Sequence, residues 1–588
     1  MILGPIFRRE LTLAPRRKKM YVSRCVYTVS LLIITTTAWL ILSGSQLVED
    51  PGDMARFGKA LFGLLAPMQL ILAMFFSGIF AAGAVAQEKD RNTLVLLLMT
   101  RLNNAELVLG KLAATLLHLY TNLLAAAPVL LAILCFGGVD FAQILHCFWV
   151  TIGTILLSGA LGATLAFWRE QTFQAISMTV LSMVVWLGVC EGLGNGLLGA
   201  TIAGVSSATL AEALSPWRAI LLTTHYSSTT PLFPFVAAGV SFLLIFWTIV
   251  RVRVWNRGEK HRDVASVENV EKNVGEKNLA EKNPAAPSRS RSRSVWDNPI
   301  LWREMRTRAY GRRAFLVRLF YVLIFAAAFY GIHQTLDRLP ISFYETNTAA
   351  SLFALQSLVP LALLSLALVN TQAVTSITGE RDARALDLLL VTDLTPKEIV
   401  LGKLGGIFWN TREMWALPVC LILYFCGRSV VSPEIGFYLL GGFATLLIFS
   451  AMLGIHCGMT YGQSRSAVGV SLGTLFFLFV GVAVCLRMML SLGGSFQAQI
   501  QPFLVFMAGG GLAMYLALGA RNPSSAIGLA SFGCPFATFY AMSALLMNYT
   551  LGVFLVVALA YGFTTAAMLI PAVYEFDVAS SREGARDD

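Results

Sequence analysis

Long apolar runs alternate with short polar breaks along nearly the whole chain. In the first half they fall near residues 25–43, 60–86, 107–135, 141–167, 172–190 and 232–254. The second half offers runs near 314–334, 349–377, 399–426, 435–460, 467–491 and 549–573. A helix needs roughly 20 apolar residues to cross a hydrocarbon core about 30 Å thick, and these runs are of that order. The pattern predicts an all-α polytopic membrane protein of about 12 transmembrane helices, as two tandem six-helix repeats. Six spans per half put both termini and every strongly basic loop on one side, the arrangement expected of cytoplasmic loops.

Two stretches resist this count: 196–230, and 501–546, which holds Pro502, Gly509-Gly510-Gly511, Pro523 and Pro535. Apolar runs broken by Gly and Pro suggest re-entrant or interfacial helices, with two further true spans in the second half as the alternative that keeps the parity. Between the halves lies a long polar stretch, 256–297. It contains Glu271-Lys272-Asn273, Glu276-Lys277-Asn278 and Glu281-Lys282-Asn283, then Ser288-Arg289-Ser290-Arg291-Ser292-Arg293-Ser294. A five-residue period fits neither helix nor strand, so a disordered cytoplasmic linker is expected. The chain thus divides into a first repeat at 1–255, the linker at 256–297, a second repeat at 298–577 and a cytoplasmic tail at 578–588.

The repeat is visible in the residues. Pro5-Ile6-Phe7-Arg8-Arg9-Glu10 matches Pro299-Ile300-Leu301-Trp302-Arg303-Glu304. Glu88 to Leu112 aligns without gaps to Glu380 to Leu404 with 14 of 25 positions identical. Leucines match by chance in such a chain, but Glu88 with Glu380, Asp90 with Asp382, Glu106 with Glu398, and Gly110-Lys111 with Gly402-Lys403 do not. Each half therefore descends from one unit, duplicated in parallel topology.

Composition agrees with a bilayer. The chain is 56% hydrophobic and 13% charged, with mean hydropathy +0.69, against about a quarter charged in a soluble domain. Its net charge of +11 gathers in the loops of one side, so it points to anionic lipid and not to nucleic acid. The nine cysteines form no CxxC and lie almost all in apolar runs, where they act as small hydrophobes. The basic, then apolar pattern of the N-terminus recurs mid-chain, so it reads as a span and not as a signal peptide.

In each copy the second span ends in a carboxylate and passes into a short amphipathic segment. Leu94, Leu97 and Leu98 fit one helix face in the first, and Leu386, Leu389 and Leu390 in the second; Val95, Leu96 and Leu388 broaden it. A helix across the ends of the spans, apolar face toward the membrane, satisfies this pattern. Asn104-Ala105-Glu106 and Thr395-Pro396-Lys397-Glu398 carry helix-start chemistry for the third span. A structural staple would account for one such hairpin. Two copies keeping the same acids and bases at positions expected to be little buried favour a binding surface.

These residues resemble the type-2 ABC exporter permeases, in particular the group labelled multicopper-enzyme-maturation permeases. The likeness rests on the Arg-Glu of each N-terminal helix, six spans per half, and the E-(+)-D-x3-L-x-LLL-x-T-x-L-x3-E-x-V-L-G-K loop. It implies that 93–103 and 385–395 are coupling helices seated in grooves of a separate soluble ATPase subunit, present in two copies. The interface residues would be Glu88, Asp90, Leu94, Leu97, Glu106 and Lys111, with Glu380, Asp382, Leu386, Leu389, Glu398 and Lys403. Arg9, Glu10, Arg303 and Glu304 would lie on interfacial elbow helices. The resemblance implies a bacterial inner-membrane location, re-entrant outer helices and a pathway between the halves.

No GxxxxGK[ST] phosphate loop is present: Gly110-Lys111-Leu112 and Gly402-Lys403-Leu404 lack the earlier glycine and the hydroxyl. The chain is expected to be no enzyme, to hold no cofactor and to use a motor outside itself. His118, His146 and Cys147 lack the partners of a metal site, so none is expected. Arg412, Glu413 and Arg487 fall inside apolar runs, where a charge costs roughly 2.5–3.5 kcal/mol and faces bundle or water; they are candidate pathway residues. Glu191 lies just past the fifth span. A secondary transporter or channel, and a scaffold that docks some other protein, are the competing classes.

Overall fold

The computed structural model describes residues 4–13, 18–45, 50–91, 93–195, 199, 201–202, 205–225, 231–256, 296–306, 314–338, 347–492, 496–547 and 549–584. Residues 257–295 of the polar linker read at 256–297 lie outside them. What is described is an all-α polytopic membrane protein; the β structure among the described residues is one pair of two-residue strands, β1 Thr201–Ile202 against β2 Val205–Ser206.

The first half contains α1 Gly4–Leu13, α2 Lys18–Ser45, α3 Pro51–Asp90, α4 Thr93–Met99, α5 Asn104–Ala132, α6 Phe141–Trp168, α7 Thr172–Gly194, α8 Ser207–Leu214, α9 Pro216–His225 and α10 Phe233–Trp255. The second contains α11 Pro299–Arg306, α12 Ala314–Arg338, α13 Asn347–Asp382, α14 Ala385–Leu390, α15 Pro396–Asn410, α16 Arg412–Gly427, α17 Pro433–Thr460, α18 Ser464–Phe476, α19 Val482–Leu492, α20 Phe496–Leu518, α21 Ser525–Leu546 and α22 Thr550–Gly584. A π-helical turn, Phe477–Gly481, joins α18 to α19.

Among the described residues thirteen single helices are long and apolar enough to cross a membrane, six in the first half and seven in the second. This agrees with about 12 spans: the run at 399–426 leaves the tally because it is divided between α15 and α16, each too short to be counted alone, and two helices enter it at 501–546. That stretch is not broken: it forms two continuous helices, α20 and α21, each of membrane-crossing length. Its glycines are contact points. Gly509 meets Ile33 of α2, Gly510 the Phe477 ring at the π turn, and Gly511 the Phe532 ring of α21. A helix pressed on three sides needs small residues where it is pressed, and membrane interfaces favour glycine for that reason. In the first half, by contrast, 207–225 forms the short helices α8 and α9, folded against α3, α6, α7 and α10 at the end remote from the hairpins. Trp186 Nε1 donates to Leu214 O at 3.1 Å and Gln143 Nε2 to Thr223 O at 3.2 Å.

The counterpart of α5 is broken in the second half into α15 and α16. Pro418, inside α16, has no N–H to offer the carbonyl four residues earlier. The buried Tyr321 hydroxyl supplies the missing donor, reaching Met414 O at 3.0 Å and Ser365 Oγ at 2.7 Å.

The repeat extends into packing at one constant offset. Gly162 of α6 lies against the backbone of Gly78 in α3, and Gly454 of α17 against the backbone of Asn370 in α13. The halves meet where α3 packs on α18 and α7 on α13, with Phe80 against Gly469 and Phe76 against Gly473. One apolar cluster runs across this seam, from Ile79, Ala82 and Phe173 to Leu368, Val374 and Val468.

Candidate functional site

Each hairpin is tied to its own half by the charges that the repeat preserves. In the first copy Lys111 pairs with Glu88. Lys89 Nζ donates to the carbonyls of Phe167 (2.5 Å) and Arg169 (2.7 Å) at the end of α6. Asp90 accepts a 2.5 Å hydrogen bond from the Thr172 hydroxyl at the start of α7. The second copy repeats each contact: Lys403 pairs with Glu380 at 2.6 Å, Arg381 donates to Gly458 O at the end of α17, and Asp382 accepts from Ser464 at the start of α18. A base on the last carbonyls and an acid at the next N-terminus complement both helix ends.

The elbow helices join the same network. α11 runs along α15, with Ile300 over Gly402 and Leu301 over Gly405. This delivers Glu304 to Lys403 at 2.8 Å, both side chains 2% exposed; Arg303 contacts Glu304 at 3.3 Å and also pairs with Glu380. Burial alone would push the Glu304 carboxyl up, but Lys403 and Arg303 hold it below the ordinary carboxylate value. In the first half α1 packs on α5 likewise, with Arg9 on Glu10 at 3.2 Å. One bond crosses between the halves here: Arg91 donates to Asp382 Oδ1 from Nε at 3.1 Å and Nη2 at 2.9 Å.

Glu106 and Glu398 close capping boxes at the starts of α5 and α15, accepting the Asn103 N–H at 3.0 Å and the Thr395 N–H at 2.9 Å. The backbone and hydroxyl bonds from Thr395 hold Glu398 below its ordinary value. These repeated charges were expected to sit with little burial. That expectation is corrected: Glu88, Lys111, Glu380, Asp382, Glu304 and Lys403 are largely or partly buried and engaged by their own chain.

The leucines divide differently from the sequence pattern. Leu94 is buried, and Leu97 and Leu98 pack against the cluster that crosses the seam. Leu386 packs on the second-half core, and Leu389 is half-buried. Val95, Leu96 and Leu388 do not broaden that face: they point away from it. Leu96 is 64% and Met99 79% exposed, and their repeat equivalents Leu388 and Val391 are 73% and 69% exposed. Each hairpin thus ends in an apolar crest above the buried ion pairs.

Of the intramembrane charges, Arg412 and Glu413 pair with each other and Arg487 does not join them. Arg412 lies over the Trp409 ring at 4.9 Å and pairs with Glu413 at 3.1 Å. Arg318 of α12 reaches Glu413 at 3.5 Å and Asn410 O at 3.0 Å. Arg487 stands apart and exposed on α19. At the opposite end Glu191 of α7 pairs with Arg218 of α9 at 2.7 Å. Among the described residues no three His, Cys, Asp or Glu side chains gather as metal ligands.

The sequence pattern missed Lys89, Arg381, Thr172 and Ser464 as parts of the staple. The signal existed, because all four fall at the repeat offset that pairs Glu88 with Glu380. No protein-family model matches the chain and no curated protein matches it.

Proposed function

We propose that the chain is the permease of an ATP-driven exporter of the bacterial inner membrane, docked at its two hairpins by soluble ATPase subunits that supply the hydrolysis. The observation that carries this reading is the paired crest: Leu96 and Met99, with Leu388 and Val391, stand exposed at equivalent points of the two hairpins. Large apolar side chains on a rigid helix, rimmed by polar residues, are the anchors that a groove in a partner accepts.

The buried charges then transmit force. A pull on α4 passes through Asp90 to α7, through Lys89 to α6 and through Glu88 to α5, so four spans move as one body. The second hairpin does the same through Asp382, Arg381 and Glu380. Such bodies can rock about the seam between α3, α7, α13 and α18, with both termini cytoplasmic and α8 and α9 on the outer side. The cargo is not specified by these residues.

The test places a charge on each crest, Leu96→Asp with Leu388→Asp. The purified chain stays monodisperse, while a co-extracted ATPase bearing a phosphate loop is lost. An ATPase that remains bound at full yield refutes the docking assignment.

A further inference from the structure

The two crests match in their apolar side chains and differ in the charges around them. At the repeat offset Arg101 corresponds to Asp393, Ala105 to Lys397 and Val95 to Asp387. The turn after α4 therefore offers the base Arg101 where the equivalent segment offers the acid Asp393, with Lys397 beyond it. Arg101, Asp393 and Lys397 are exposed. Just beside them the charges that the repeat does preserve, Glu88 with Glu380 and Lys111 with Lys403, are consumed inside the chain. What the duplication kept is the staple and the apolar knobs; what it let diverge is the rim.

An identical pair of subunits would bring the same rim charge to both crests. Attraction at Arg101 would then mean repulsion at Asp393. Rim charges decide which partner is accepted more than how tightly it is held. We infer, resting on the docking reading above, that the crests take two different ATPase subunits. One carries an acidic groove rim that faces Arg101, the other a basic rim that faces Asp393, and both share an apolar groove floor for Leu96/Met99 and Leu388/Val391.

The experiment is native extraction of the full chain, with the co-extracted ATPase chains identified and quantified by mass spectrometry. The unmodified chain brings two distinct ATPases in equal amounts. Arg101→Asp releases one of them roughly fivefold, the scale of one exposed charge contact, and retains the other. Asp393→Arg does the reverse. The retained subunit shows in each case that the variant is folded. A single ATPase species in both positions, or equal loss of both chains in each variant, overturns this inference alone. If the unmodified chain brings no ATPase, the exporter reading falls and this inference with it.

Discussion

Lys403→Met removes a cation from the most enclosed charge cluster in the described structure. Its ammonium lies 2.8 Å from Glu304 and 2.6 Å from Glu380, with lysine and Glu304 side chains each 2% exposed. Methionine fills similar volume, so the loss is electrostatic. Breaking a buried pair by removing one partner costs about 3–5 kcal/mol, because the remaining charge stays buried. The repeat supplies an internal control. Lys111 and Glu88 are 14% and 22% exposed, which brings Lys111→Met closer to the roughly 1 kcal/mol of a partly solvated pair. The assay is heating in detergent, with the surviving monodisperse fraction read by size exclusion. Lys403→Met loses it at a clearly lower temperature than Lys111→Met, and Glu304→Gln in the Lys403→Met background recovers part of the difference. The pH dependence has a definite sign. Glu304 is depressed in the native fold, so its stabilisation is full above the unfolded value and fades as pH falls through the native one. In Lys403→Met the buried Glu304 carboxylate keeps Arg303 alone as its cation, so that variant loses less, relative to the unmodified chain, as pH falls toward the carboxylate range. Equal stability of the two lysine variants at neutral pH would refute the argument.

Tyr321→Phe strips the donor from Met414 O and is expected to cost about 1–3 kcal/mol; in a Pro418→Ala background the restored N–H takes that carbonyl, and the cost shrinks in the same thermal assay. Gly510→Ala drives a methyl into the Phe477 ring and destabilises by about 1–3 kcal/mol as an overpacked site. Gly533→Ala, with nothing within 4 Å, leaves the melting temperature unchanged. A double-mutant cycle between Arg91→Gln and Asp382→Asn returns a coupling of about 0.2–1 kcal/mol, since Arg91 is 44% exposed.

The spans were legible because they are written locally, in run length, and the matched charges at fixed spacing marked the two hairpins. The membrane path of 501–546 was not. Gly509-Gly510-Gly511 looks the same whether it breaks a helix or lets Ile33, Phe477 and Phe532 approach it, and those three lie far away in sequence. The hairpin charges were found at the right positions and given the wrong surroundings. Lys403 meets Glu304 and Glu380 through folding that joins the elbow helix, α13 and α15, which no local pattern records. The amphipathic period was right for Leu94 and Leu386. It misdirected Val95, Leu96 and Leu388, since in a chain this apolar an exposed leucine carries no mark that separates it from a buried one.

The contact between Ile33 and Gly509 also sets an order of assembly. The helix α2 emerges among the first elements of the chain, while α20, which covers it, emerges near the last. Until then α2 lacks that cover, and the first half cannot complete its packing however early its own six spans are inserted. A contact between opposite ends of a chain is a slow, late step in folding. Chains halted before residue 496 would therefore leave an unfinished surface on the amino-terminal half, a natural mark for membrane quality control.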